Sequence, residues 1–287
     1  MGLLAGLEAL GIKLPTQEKQ EPTVEASDKE VKQEEAQEES RQEKLEKGEK
    51  SLLYKKRYTC PICDKKITVP TVRYSGLNLI GTDEDFRPRY EELDPLKYDV
   101  VFCPNCGYAN MAGKFEMLMP YQKKWIYEGV ALKFHYENPH SEIYSYDEAY
   151  VHYQFALLCA MVGGAKTSEK AWICLKMAWL IRGKYEELNP RLPVYESRMQ
   201  EYKMKELEAL QLALVGFSDA RNSESYPIAG MNETTLDFLI SALSIKLGDA
   251  ETAAELLQKI IDNKGVKNRL KERALKMMKG IRGSIPA

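Results

Sequence analysis

No stretch of the 287-residue chain approaches the ~20 consecutive apolar residues that a bilayer-spanning helix needs, so no such span is expected. The opening residues lack a basic n-region, and Glu8 interrupts their short apolar run; they do not read as a secretory signal. The myristoylation pattern is missing too, because Gly6 stands where Ser or Thr is required. There is no excess of positive charge: the formal net charge is −2 and the pI about 6.1, which excludes a polycation built for nucleic acid as a whole. With only three histidines, the chain has no phosphate-cradling glycine loop and no nucleophile–base set. These absences point to a cytoplasmic protein with reduced thiols. In that setting six cysteines suggest metal binding or core packing rather than disulfides.

Composition divides the chain into four parts. Residues 1–15 are small and apolar, with Leu3, Leu7, Leu10 and Leu14 at helical spacing, a candidate docking segment that its glycines weaken as an isolated helix. Residues 16–50 hold 12 acidic and 7 basic side chains, a net of −5, and few apolar ones. Such a stretch buries too little surface to offset its ordering entropy, and reads as a charged tether, disordered or a solvated helix. From 51 to 119 the runs Tyr58-Thr-Cys, Ile67-Thr-Val and Tyr98 to Phe102 are β-branched and aromatic, punctuated by Pro and Gly, as in short strands. Residues 120–287 read as helix.

Cys60-Pro-Ile-Cys63 and Cys103-Pro-Asn-Cys106 repeat one pattern. A turn spanning two residues lets both thiolates of a pair face one ion, and two such turns complete a tetrahedral sulfur shell with Zn–S near ~2.3 Å. The proline fixes φ in each turn, and Gly107 lets backbone amides lean towards sulfur. The first pair is followed by a strand-like run, not by the helix of a thioredoxin-type dithiol. Structural zinc is therefore the expected cofactor. Iron is the alternative, and a catalytic metal is disfavoured because four thiolates leave no open position.

These motifs, with Asp85-Phe86-Arg87, Asp94-Pro95, Tyr98-Asp99-Val100 and the full Cys103-Pro-Asn-Cys-Gly-Tyr-Ala109 run, resemble the bacterial "domain of unknown function 2225" family over roughly residues 50–280. The resemblance implies a zinc-ribbon-like module joined to tetratricopeptide-like helices. It implies no activity. Asp64 stands where many such turns have glycine, which argues against a two-fold symmetric site.

In the helical part, helices are expected from Asp147 to Val162 and from Thr167 or Ser168 through the apolar run ending at Ile181. A long one should open at Pro193 and reach Phe217, with three more over about 232–247, 250–262 and 266–282. Leu236 to Ile261 fits a tetratricopeptide-like hairpin turning at Leu247-Gly248-Asp249, with an ordinary bundle as the alternative. Cys159 and Cys174 read as core residues. His135, His140 and His152 read as surface or satisfied histidines. Asp83, Glu84 and Asp85 suit a turn, a cation or a basic peptide. The last 24 residues carry a net of +7, with Val266, Leu270, Ala274, Met277 and Ile281 forming a stripe opposite that charge.

The expected fold is thus mainly α, tetratricopeptide-like hairpins with a small N-terminal β zinc-ribbon-like module. The expected role is a non-enzymatic interaction or scaffold protein with another protein as partner. A nucleic-acid-associated factor is the alternative, using the metal module or the basic C-terminal helix. No small-molecule substrate is evident.

Overall fold

The computed structural model describes residues 48–135, 141–191 and 194–284. The candidate docking segment 1–15, tether residues 16–47, His140 and Pro193 lie outside the described residues. The described residues form two compact units: one comprises those up to Ile80 together with those of Tyr90–Phe155, the other Gly81–Arg89 together with those from Ala156 onwards. This differs from the expected division at 119/120. Charged residues near Asp83 look like loop in sequence, but their partners are helical.

In the first unit, β1 (Leu53–Thr59) pairs antiparallel with β2 (Lys66–Val72), in register from Leu53 opposite Val72 to Thr59 opposite Lys66. β3 (Leu79–Thr82) pairs with β4 (Pro88–Tyr90). β5 (Val100–Phe102) pairs with β6 (Ala109–Met111), Phe102 opposite Ala109. In β2 the period-2 alternation buries Ile67 and Val69 on one face. Val72, Leu93, Tyr98 and Tyr144 make a small core here. Glu49, assigned to the tether by composition, is buried: it accepts a hydrogen bond from Tyr98 Oη at 2.7 Å and an ion pair from Lys97 at 2.6 Å. α1 (Pro120–Gly129) follows, and α2 (Tyr146–Val162) contributes to this unit through Phe155.

The second unit is helical: the end of α2, then α3 (Thr167–Glu186), α4 (Tyr195–Ser223), α5 (Glu233–Lys246), α6 (Ala250–Asp262) and α7 (Asn268–Ser284). Helix starts follow cap chemistry. Ser145 Oγ caps α2 through the Glu148 amide at 3.1 Å, two residues before the expected Asp147. Asn232 and Asp249 cap α5 and α6 through Thr235 and Thr252. The start of α3 is capped from outside: Glu224, just past α4, accepts from the Ser168 amide at 2.9 Å and the Ser168 hydroxyl at 2.6 Å. A Cβ at Gly216 would lie 2.8 Å from the Ala171 Cβ, so α3 and α4 approach closely there. Phe238, Ala242, Ala253, Leu257, Ala274, Met277 and Ile281 knit α5, α6 and α7 into one core. Ala274, Met277 and Ile281 of the C-terminal apolar stripe are thereby buried and Val266 and Leu270 half-buried, while Lys264, Lys267, Arg269, Lys276 and Lys279 remain exposed.

His152 is not a surface or satisfied histidine. It is 1% exposed and stacked on Phe102 at 4.8 Å, and neither ring nitrogen has a partner among the described residues. Burial pushes its pKa from 6.5 to about 3. The unfolded chain therefore binds a proton that the folded one refuses, and stability drops as pH falls below about 6.5. His152→Phe keeps the flat ring and removes both nitrogens. Its stability advantage over the wild type is expected to grow by ~2 kcal/mol between pH 7 and pH 5 in urea unfolding, because one pKa unit is worth ~1.4 kcal/mol. Metal-linked losses are common to both proteins and cancel in the comparison. Parallel pH profiles would refute this account of His152.

Candidate metal centre

Each cysteine pair occupies the six-residue turn of a β-hairpin: residues 60–65 between β1 and β2, and 103–108 between β5 and β6. The turns have the same wiring. The Cys60 amide donates to Lys65 O at 3.0 Å and the Asp64 amide to Cys60 O at 2.9 Å. In the second turn the Cys103 amide donates to Tyr108 O at 2.8 Å and the Gly107 amide to Cys103 O at 2.9 Å. Asp64 (φ 56) and Gly107 (φ 71) both take the left-handed conformation. The aspartate therefore does not break the two-fold likeness of the turns, contrary to the sequence expectation. Aspartate is among the few L residues that tolerate this region.

The turns bring their sulfurs together. Cys60 Sγ lies 3.6 Å from Cys106 Sγ, and Cys63 Sγ 3.7 Å from Cys103 Sγ. All four lie within 4.8 Å of one another. A disulfide would need ~2.0 Å, whereas the edge of a tetrahedron with ~2.3 Å metal–sulfur bonds is ~3.8 Å. Cys60, Cys103 and Cys106 are buried and Cys63 half-buried. The spacing and donor chemistry fit one thiophilic ion.

Backbone amides converge on the same sulfurs: those of Ile62 and Cys63 on Cys60, Asn105 on Cys103, and Tyr108 on Cys106. Asn105 Nδ2 lies 3.9 Å from Cys103 Sγ, and Lys65 Nζ donates to Asn105 Oδ1 at 3.3 Å. Such donors offset the negative charge that four thiolates and a divalent ion leave. Hydrogen bonds from Cys106 and then Cys60 hold the Cys103 thiol below its ordinary range. The bond with Cys103 raises the Cys60 thiol, and Cys106 is raised by Cys103 and then Cys60. An entering cation must displace those protons, so binding weakens in acid.

Aromatic packing supports the turns. Tyr108 Oη donates to Phe115 O at 2.8 Å, and Phe115 meets Tyr58 edge-on at 5.5 Å. A Cβ on Gly107 would lie 2.3 Å from the Phe134 ring. Gly107→Ala combines that overlap with the left-handed penalty and is expected to cost at least ~2 kcal/mol. Asp64→Gly should stay within ~1 kcal/mol of the parent. Chemical denaturation of both variants checks this, and equal effects would show that the Gly107 contact is not tight.

The other sequence candidates do not join this cluster. Cys159 and Cys174 are buried in helices, and burial pushes the Cys174 thiol up to about 12. His135 Nδ1 lies 2.8 Å from the Lys133 carbonyl oxygen. Asp83 and Asp85 meet Arg182: Nη1 is 2.9 Å from Asp83 and Nη2 2.7 Å from Asp85. Arg87 and Arg89 pair with Glu186, at 2.8 and 2.6 Å. Arg182, Glu206 and Lys246 were missed in sequence. The available signal was an arginine directly after the apolar run ending at Ile181.

A mainly helical protein with small β-hairpins and a four-cysteine cluster defines the class. The family model for an uncharacterized protein conserved in bacteria, domain of unknown function 2225, matches residues 53–282. The chain belongs to that family. Comparison with curated proteins and with solved structures returns no match.

Proposed function

We propose that this chain is a non-enzymatic, zinc-stabilised protein-interaction or scaffold protein of the cytoplasm. Zinc held by Cys60, Cys63, Cys103 and Cys106 fixes the β module, and tetratricopeptide-like hairpins supply the partner surface. The observation that carries the reading is the closed set of four sulfurs within 4.8 Å. Such a shell leaves no ligand position for a substrate and suits a structural ion. Support for the partner surface comes from α4, where Met204, Leu207, Leu212 and Val215 are exposed on one face of the helix. The α5–α6 pair, with Gly248 between the helices and small Ala253 at their contact, is the part that most resembles a tetratricopeptide hairpin.

The test is affinity purification from the native bacterium with mass spectrometry, using wild type and a Met204→Glu/Val215→Glu variant, with metal analysis of each sample. A protein partner that is lost on the charged α4 face supports the proposal; identical partner lists overturn α4 as the surface. The second reading, association with nucleic acid, is favoured by the five exposed basic side chains of the α7 region. It predicts affinity that falls steeply with salt.

A further inference from the structure

We infer that the helical unit carries a recognition site for acidic–aromatic peptide segments, built by Arg182, Lys246, Arg273 and Phe238, and that the Asp83–Phe86 strap fills it in cis. The inference rests on the protein-interaction reading and names the chemistry that one such surface would take.

The two sides of this contact are complementary. Arg182 of α3 forks onto Asp85, with Nη1 at 3.2 Å and Nη2 at 2.7 Å from its two oxygens, and Nη1 also reaches Asp83 at 2.9 Å. Lys246, at the end of α5, lies 3.4 Å from Asp85. Glu206 of α4 fixes the fork from behind, accepting from Arg182 Nε at 2.8 Å, and is itself held by Tyr185 Oη at 2.6 Å. Next to the charges is an aromatic seat. Phe86 packs on Phe238 of α5 at 5.3 Å, and the Arg273 guanidinium of α7 covers both rings, at 5.1 and 4.8 Å. Arg273 also donates to the carbonyls of Asp83 and Glu84, at 2.9 and 3.3 Å, so the strap backbone is read as well as its side chains.

Several features distinguish a bound segment from ordinary core. The strap closes on itself, Phe86 N donating to Asp83 O at 3.0 Å and Asp83 N to Arg87 O at 2.9 Å. It is held on the helices by ion pairs that bury Asp85 completely, by the Arg273 bonds and by the packing of Phe86 against the α5–α7 core. The α5–α7 core is complete among its own residues, and Phe86 only borders it, half-buried. Phe86 sits at φ 71, a conformation a phenylalanine adopts only when its surroundings hold it there. A free peptide has no flanking strands to impose that strain. Two carboxylates on a forked arginine with a ring beneath a second guanidinium is a chemistry of peptide recognition.

The test uses the full chain and a labelled peptide with the sequence of residues 81–90. A strap variant, Asp83→Asn/Phe86→Ala, is compared with wild type by fluorescence anisotropy. The variant is expected to bind the peptide saturably and at least tenfold more tightly than wild type, whose site is filled. Adding Arg273→Ala, or making the same two changes in the peptide, should reduce binding at least tenfold. A folded strap variant that binds no better than wild type, or binds the altered peptide equally well, overturns the inference. If the variant does not fold, hydrogen exchange on wild type decides. The Asp83 and Phe86 amides should exchange at least tenfold faster than those of α3 around Ala178, and faster still in high salt. Exchange only at the rate of the α3 core overturns it. Lost peptide binding with a metal-loaded chain and an unchanged partner list leaves the interaction reading standing.

Discussion

Cys106→Ser is expected to lower zinc affinity by at least ~100-fold and to loosen the two cysteine hairpins while the helices persist. A serine hydroxyl keeps the size of the thiol but stays protonated at neutral pH and offers a hard oxygen to a thiophilic ion. Structural zinc sites contribute ~10–16 kcal/mol in small modules, so one of four ligands is worth several kcal/mol. The loss falls on the β unit because little else closes it. The β5–β6 strands have only three residues each, and the two turns meet chiefly through their sulfurs, with one exposed Lys65–Asn105 hydrogen bond at 3.3 Å beside them. The helical unit has its own apolar core and should keep its far-ultraviolet signal. Competition with a chromophoric chelator, read beside near-ultraviolet dichroism from Tyr58 and Tyr108, measures both effects. A variant that holds zinc as well as wild type would show that Cys106 is not a ligand.

Arg182→Met is expected to destabilise the helical unit by ~3–5 kcal/mol, among the largest single effects outside the metal centre. The Arg182 side chain is 5% exposed, and it serves Asp85 at 0% and Glu206 at 8%. Methionine fills much of the same space, so the cost lies in two buried carboxylates whose remaining cation is Lys246, at 3.4 and 3.9 Å, with the Tyr185 hydroxyl still on Glu206. Arg182→Lys should recover only part, since an ammonium cannot fork onto three carboxylates. Arg182→Met combined with Asp85→Asn and Glu206→Gln removes the stranded charges and should regain much of the loss. Burial by itself would raise the Asp85 carboxyl, but the hydrogen bonds and charge of Arg182, helped by Lys246, outweigh it and hold the pKa below 3.8. That contribution is full above pH 3.8 and is lost as pH falls through the folded value. Arg182→Met should therefore flatten the acid limb of the unfolding profile. An unchanged acid limb together with a small loss of stability would contradict the assigned network.

The contrast between these two sites explains what could be read from the chain. The cysteine turns are local: ligand, proline and left-handed residue lie within six positions, so pattern alone marks them. Helix limits set by local chemistry were also legible, as at Val162 and at Leu247-Gly248-Asp249. The apolar run that marks α3 stops at Ile181, yet the helix continues to Glu186 since Arg182 and Tyr185 are satisfied by carboxylates. α4 likewise passes the expected Phe217 to Ser223, its last turn steadied by Arg221 paired with Asp237. The strap was not legible. Asp83 lies 99 positions from Arg182 and 190 from Arg273, and no local periodicity encodes a partner at that distance. His152 was misread for a related reason: the helical register shows that it faces inward only once Phe102 is known to pack there.

The central claim is that sulfurs from two separate hairpin turns enclose one ion. It is tested most directly by titrating the gently purified full-length chain with a mercurial while a chromophoric chelator reports released metal, after elemental analysis of the same sample. One zinc ion per chain is expected, released as four thiols react and before the remaining two buried ones. A folded chain that carries no zinc or iron, or that gives up its metal without regard to those four thiols, would contradict it.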